Sequence, residues 1–78
     1  MKAFGYQKDS EELLELCDVS IYASIGEIEK IIQFLQEIKI QHSEVVNGTD
    51  ICHTHFRDWD IEWDESSPDI IVATVPNA

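Results

Sequence analysis

The segment Ser24-Ile25-Gly26-Glu27 constrains this chain more than any other, because it fits the S-x-x-E capping box that opens a helix. Ser24 can accept a hydrogen bond from the Glu27 amide, and the Glu27 carboxylate can accept one from the Ser24 amide. Behind it, Ile28, Ile31, Ile32, Leu35, Ile38 and Val45 recur at helical spacing, with Phe34 at the margin of the stripe. Glu29, Gln33, Gln36, Glu37 and Glu44 fall on the opposite side. This predicts one long helix from about Ile25 to Val45. Lys39 and His42 sit near its C-terminal end, where the dipole favours cations, and Asn47-Gly48 is the natural stop. Ile40 projects to the polar side; a single exposed isoleucine is ordinary, and a contact site is the sharper reading.

The flanking segments read as strands. Lys2 to Gln7 is short and aromatic, and Lys8-Asp9-Ser10-Glu11 is a polar turn. Leu13 to Ala23 alternates in two phases. Leu14 and Leu16 hold one parity, and Val19, Ile21 and Ala23 the other. A bulge near Cys17-Asp18 would bring both onto one face. Ile51 to Asp58 reads as a third strand and Asp69 to Val75 as a buried fourth. The expected fold is therefore α+β, in the order β-β-α-β-β: a single helix packed on a mainly antiparallel four-stranded sheet, with one sheet face left open. If the second and third strands pair in parallel, the crossover should be right-handed.

Size and charge bound the rest. At 78 residues the chain is expected to form one domain, residues 1–78, burying only roughly 60–65% of its unfolded surface. Its hydrophobic content of 44% is enough for a core. Sixteen acidic against five basic residues give a formal charge of −11, which repels phosphate backbones and anionic membranes and speeds encounter with a basic protein. The plainer account of the acidity is solubility. Cys17 and Cys52 are too few for a disulfide framework, and no apolar stretch has the length of a membrane span or a signal-peptide core. The cytoplasm is the expected location, with no nucleic-acid or membrane partner.

Three constellations bear on chemistry. His53-Thr54-His55 sets two imidazoles on one face of a strand, with Asp50, Cys52, Asp58 and Asp60 close in sequence and Cys17 within reach from a neighbouring strand. Parity sends Cys52 to the other face, so third and fourth ligands are lacking and no metal or cofactor is expected. Catalysis has less support, since no nucleophile motif surrounds either cysteine and the glycines are scattered singly. The third constellation is the acidic segment Asp58, Trp59, Asp60, Glu62, Trp63, Asp64 and Glu65, where carboxylates frame Trp59, Ile61 and Trp63. That pattern resembles a binding hot spot with a charged rim, and these seven residues are the predicted partner contact. The competing account is that both tryptophans complete a thin core.

The element order, the strand carrying His53, His55 and Phe56, the following Asp58-Trp59-Asp60 and the terminal Pro68-Asp69-Ile70-Ile71-Val72 resemble the immunity protein 32 family of polymorphic toxin systems. The resemblance implies a non-catalytic bacterial protein that binds and neutralises a cognate toxin, with His53 and His55 as marker positions of no assigned role. A basic, nucleic-acid-directed toxin would suit a −11 partner that mimics a phosphate backbone. The alternatives are a metal-binding module or metal-dependent enzyme built on His53 and His55, and a homodimeric interaction domain sealed through the open sheet face.

Overall fold

A computed structural model describes residues 1–45 and 51–75. The order is β1 (Ala3–Gly5), β2 (Leu14–Leu16), α1 (Ile25–Val45), β3 (Cys52–His55), α2 (Phe56–Trp59) and β4 (Ile71–Thr74). The helix forms where its local signals place it. Ser24 N donates to Glu27 Oε1 at 2.9 Å, Glu27 N donates to Ser24 Oγ at 3.2 Å, and Ile28 N donates to the Ser24 carbonyl at 2.9 Å. The Ser24 amide bonded to the Glu27 carboxylate, helped by the Ser24 hydroxyl, holds that carboxyl below its ordinary range. Asn47-Gly48, the expected stop, lies outside the described residues.

The single four-stranded sheet does not form. Instead β1 pairs with β2 and β3 pairs with β4, giving two separate two-stranded antiparallel sheets. The reason lies in what covers α1. Among the described residues Phe34, Ile38 and Phe56 are the buried apolar ones, and Ile31, Trp59, Trp63, Ile70 and Val72 pack against them. All of these come from α1 or from residues 56–72, so α2, the loop after it and β4 furnish the apolar residues packed on the helix's inner face. Neither β1 nor β2 contributes to that cluster, and no parallel crossover joins β2 to β3.

The first hairpin is short for the same reason. Its register sets Ala3 opposite Leu16 and Gly5 opposite Leu14, and its turn is closed by Ser10 N donating to the Gln7 carbonyl at 3.1 Å. Asp9 takes φ 62°, a left-handed conformation that aspartate tolerates better than most residues. Beyond Leu16 the expected bulged strand to Ala23 is absent, and Val19, Ile21 and Tyr22 are exposed. Alternation specifies a strand by burying one face, and here Val19 and Ile21 stay exposed with only Ala23 half-buried.

The buried line of α1 is also turned from the expected stripe. Ile31, Phe34, Ile38 and His42 point inward, whereas Ile28, Ile32 and Leu35 are exposed, a rotation of roughly 40° at 100° per residue. Phe34 is the centre of the core rather than its margin, at 0% exposure. It meets Phe56 edge-on at 5.1 Å and Trp59 at 5.5 Å, so the largest apolar side chain of the helix sets which face turns in.

Two further boundaries differ from expectation. β3 ends at His55, and Phe56 to Trp59 form a helical turn rather than continuing the strand to Asp58. Long-range bonds cause this: Phe56 N donates to the Ile70 carbonyl at 2.8 Å, and Arg57 N donates to Asp69 Oδ1 at 3.0 Å. β4 is Ile71–Thr74 and alternates in exposure, so it is covered on one face only, not buried on both.

Candidate functional site: the outer face of β3 and the acidic loop

Alternation along β3 divides its residues between two environments. Thr54 turns toward α1, where its Oγ1 lies 2.9 Å from His42 Nε2. His53 and His55 occupy the other face, with ring centroids 5.6 Å apart at an interplanar angle of 73°. The strand thereby brings the two predicted imidazoles together. Cys52 shares the parity of Thr54, is half-buried, and forms no disulfide with the exposed Cys17.

Asp69 organises this corner, and nothing in its immediate sequence marks it for that role. His55 Nδ1 donates to Asp69 Oδ2 at 2.6 Å, while the other carboxylate oxygen accepts the Arg57 amide and Arg57 Nε stands 3.7 Å from Oδ2. With its side chain only 18% exposed, burial pushes the Asp69 carboxyl up. The bonds from His55 and the Arg57 amide, with the nearby charges of His55 and Arg57, outweigh burial and hold the group below the usual carboxylate range. The result is a carboxylate that fixes the His55 ring and closes the first turn of α2 together. No group of three or more histidine, cysteine, aspartate or glutamate side chains is arranged to hold a metal ion among the described residues.

The acidic segment divides into buried and exposed parts. Trp59 and Trp63 are half-buried against the core; Trp59 Nε1 donates to the Glu37 carboxylate and Trp63 Nε1 to the Pro68 carbonyl at 3.1 Å. Both indoles therefore have their polar edge satisfied within the chain, as a small core requires. Asp60 is half-buried and, with Glu62, grips Lys30 of α1 at 3.5 and 3.0 Å. The Glu62 hydrogen bond raises the Lys30 pKa, with Asp60 adding to it against partial desolvation. Asp64 accepts from both the amide and hydroxyl of Ser66, whose hydroxyl bond does most to lower its pKa. Asp58 and Glu65 are exposed. Ile61, between Asp60 and Glu62, is 98% exposed. The single apolar group this loop offers outright to a partner is thus Ile61, with the tryptophans as the packed base beneath its acidic rim.

His42 is a functional-type side chain with a structural role. It is 5% exposed, and its Nδ1 lies 2.6 Å from Thr74 Oγ1 while Nε2 faces Thr54. A neutral imidazole needs one donor and one acceptor, and two hydroxyls supply either arrangement. It ties α1 to both strands of the second sheet. Ile40, by contrast, is exposed at 63%.

Comparison with known proteins returned no match: no protein-family model, no curated protein and no solved structure is similar to this chain. No helix among the described residues is long and apolar enough to cross a membrane.

Proposed function

We propose that this chain is a non-catalytic binding protein for a basic protein partner, acting as an immunity protein that neutralises a cognate toxin by direct contact. The observation that carries the reading is the imbalance between core and surface. Among the described residues, three large apolar side chains are buried and seventeen are exposed. Scattered exposed apolar groups are ordinary, but so large an excess over the core favours a surface that another molecule covers. The charge of −11 favours a basic one.

The acidic loop combines the two properties. Exposed carboxylates at Asp58, Glu62, Asp64 and Glu65 supply steering, Ile61 supplies the apolar contact, and Trp59, Asp60 and Trp63 hold the loop to α1. Because the loop is anchored by the core and by Lys30, little of it needs ordering on binding, which lowers the cost of association. The test identifies a basic toxin domain encoded in a neighbouring gene, titrates the chain with it by calorimetry, and assays that domain's activity. Saturable binding that abolishes the activity supports the reading. A basic domain that neither binds nor is inhibited contradicts it.

A further inference from the structure

We infer that His53 and His55 form a two-imidazole chelate on the outer face of β3 for a divalent transition ion of the zinc, copper and nickel class, with Asp69 as the positioning residue for His55. This inference is independent of partner binding. Three observations carry it.

The first is spacing. With metal–nitrogen distances of about 2.0–2.1 Å, and a ring centroid about 1.1 Å behind its ligating nitrogen, two imidazoles on one tetrahedral ion have centroids about 5.2 Å apart. The rings of His53 and His55 are already at 5.6 Å. A few tenths of an ångström lie within what side-chain torsions absorb inside a rotamer well.

The second is the tautomer. In the neutral ring the Nδ1–H of His55 is committed to Asp69, which leaves the lone pair on Nε2. A carboxylate behind a ligating imidazole is the usual support of such a ligand, raising its basicity and fixing its ring. Asp69 is itself held by the Arg57 amide, so the support is rigid.

The third is availability. His53 is exposed, and neither of its nitrogens, nor Nε2 of His55, is hydrogen-bonded to protein among the described residues. Two protein ligands fill half of a tetrahedral shell, leaving water for the rest. The site is therefore of the weak, exchangeable kind, far from the affinity of a four-ligand structural zinc. An ion pair between His55 and Asp69 alone makes no use of His53, so the two accounts separate on that residue.

The experiment titrates zinc into metal-free full-length protein, reading heat and the imidazole proton resonances. One ion per chain is expected, with both His53 and His55 resonances shifting. Because the surface is acidic, zinc also meets carboxylates nonspecifically, so the decisive arm is His53→Ala. That residue is exposed and hydrogen-bonded to none of the described residues, and its loss should weaken binding at least 10-fold without altering the melting temperature. Asp69→Asn should weaken binding about 10- to 100-fold, the usual loss on removing an outer-shell partner. Its fold is checked by circular dichroism, and His55→Gln replaces it if α2 is lost, with the same weakening expected. Zinc binding unchanged in His53→Ala, or an absence of histidine shifts, overturns the chelate. Unchanged affinity in a folded Asp69→Asn overturns the role given to Asp69.

Discussion

Asp69 accepts a 2.6 Å hydrogen bond from His55 Nδ1, joining the residue that ends β3 to one that precedes β4. The same carboxylate accepts the Arg57 amide, so one side chain decides where the strand stops and the helical turn begins. An isosteric amide at this position would keep the shape and lose the charge.

Asp69 should therefore give the fold an acid-sensitive component. Its folded-state pKa lies below the unfolded value, so its stabilisation is complete above the ordinary aspartate range and disappears as pH falls through the lowered value. Urea unfolding from neutral pH downward should show stability declining on that acid side. Asp69→Asn should flatten the decline while lowering stability at neutral pH. An unchanged acid-side slope would show that the carboxylate's bonds are as good in the unfolded chain.

Phe34→Ala should cost about 3–5 kcal/mol, because it empties the point where Phe56 and Trp59 meet the helix. Ile40→Ala, on the exposed side of the same helix, should stay within about 0.5 kcal/mol. Chemical denaturation of the two variants checks both, and equal losses would place the core elsewhere.

His42→Ala should destabilise by about 2–4 kcal/mol, since it leaves a cavity and deprives the Thr54 and Thr74 hydroxyls of their partner. Replacing both threonines with valine keeps the packing but strands the buried ring nitrogens, at about 1–3 kcal/mol for each unpaired group. A valine double variant as stable as the parent would mean the imidazole finds water instead.

The helix was legible because its signals are local: Ser24 and Glu27 are three residues apart and cap the same turn. Which face turns inward was not. That depends on Phe34 meeting Phe56 and Trp59, and on His42 finding Thr54 and Thr74, partners 12 to 32 residues distant. The four-strand expectation failed at the same level. Alternation in Leu13 to Ala23 signals a face without naming what covers it, and in the structure the apolar residues packed on the helix come from residues 56–72. Of the site, the proximity of His53 and His55 follows from strand parity, whereas Asp69 behind His55 is a tertiary fact.

The exposed carboxylates of the acidic loop should set the rate of partner encounter, and Ile61 the lifetime of the complex. Ile61→Ala should leave the association rate near that of the parent and speed dissociation, at a cost of about 1–3 kcal/mol. Truncating Trp59 or Trp63 should lower the melting temperature first, because both pack on the core.

The central claim, that this acidic loop receives a basic protein partner, is tested most directly by stopped-flow association of the Asp58→Asn, Glu65→Gln double variant with the basic domain across ionic strength. Neither carboxylate supports the Lys30 pairing or the Asp64 turn, so melting temperature should be preserved. The loop as interface predicts slower association and a shallower salt dependence than the parent. A folded variant that associates at the parent rate with the parent salt slope contradicts it.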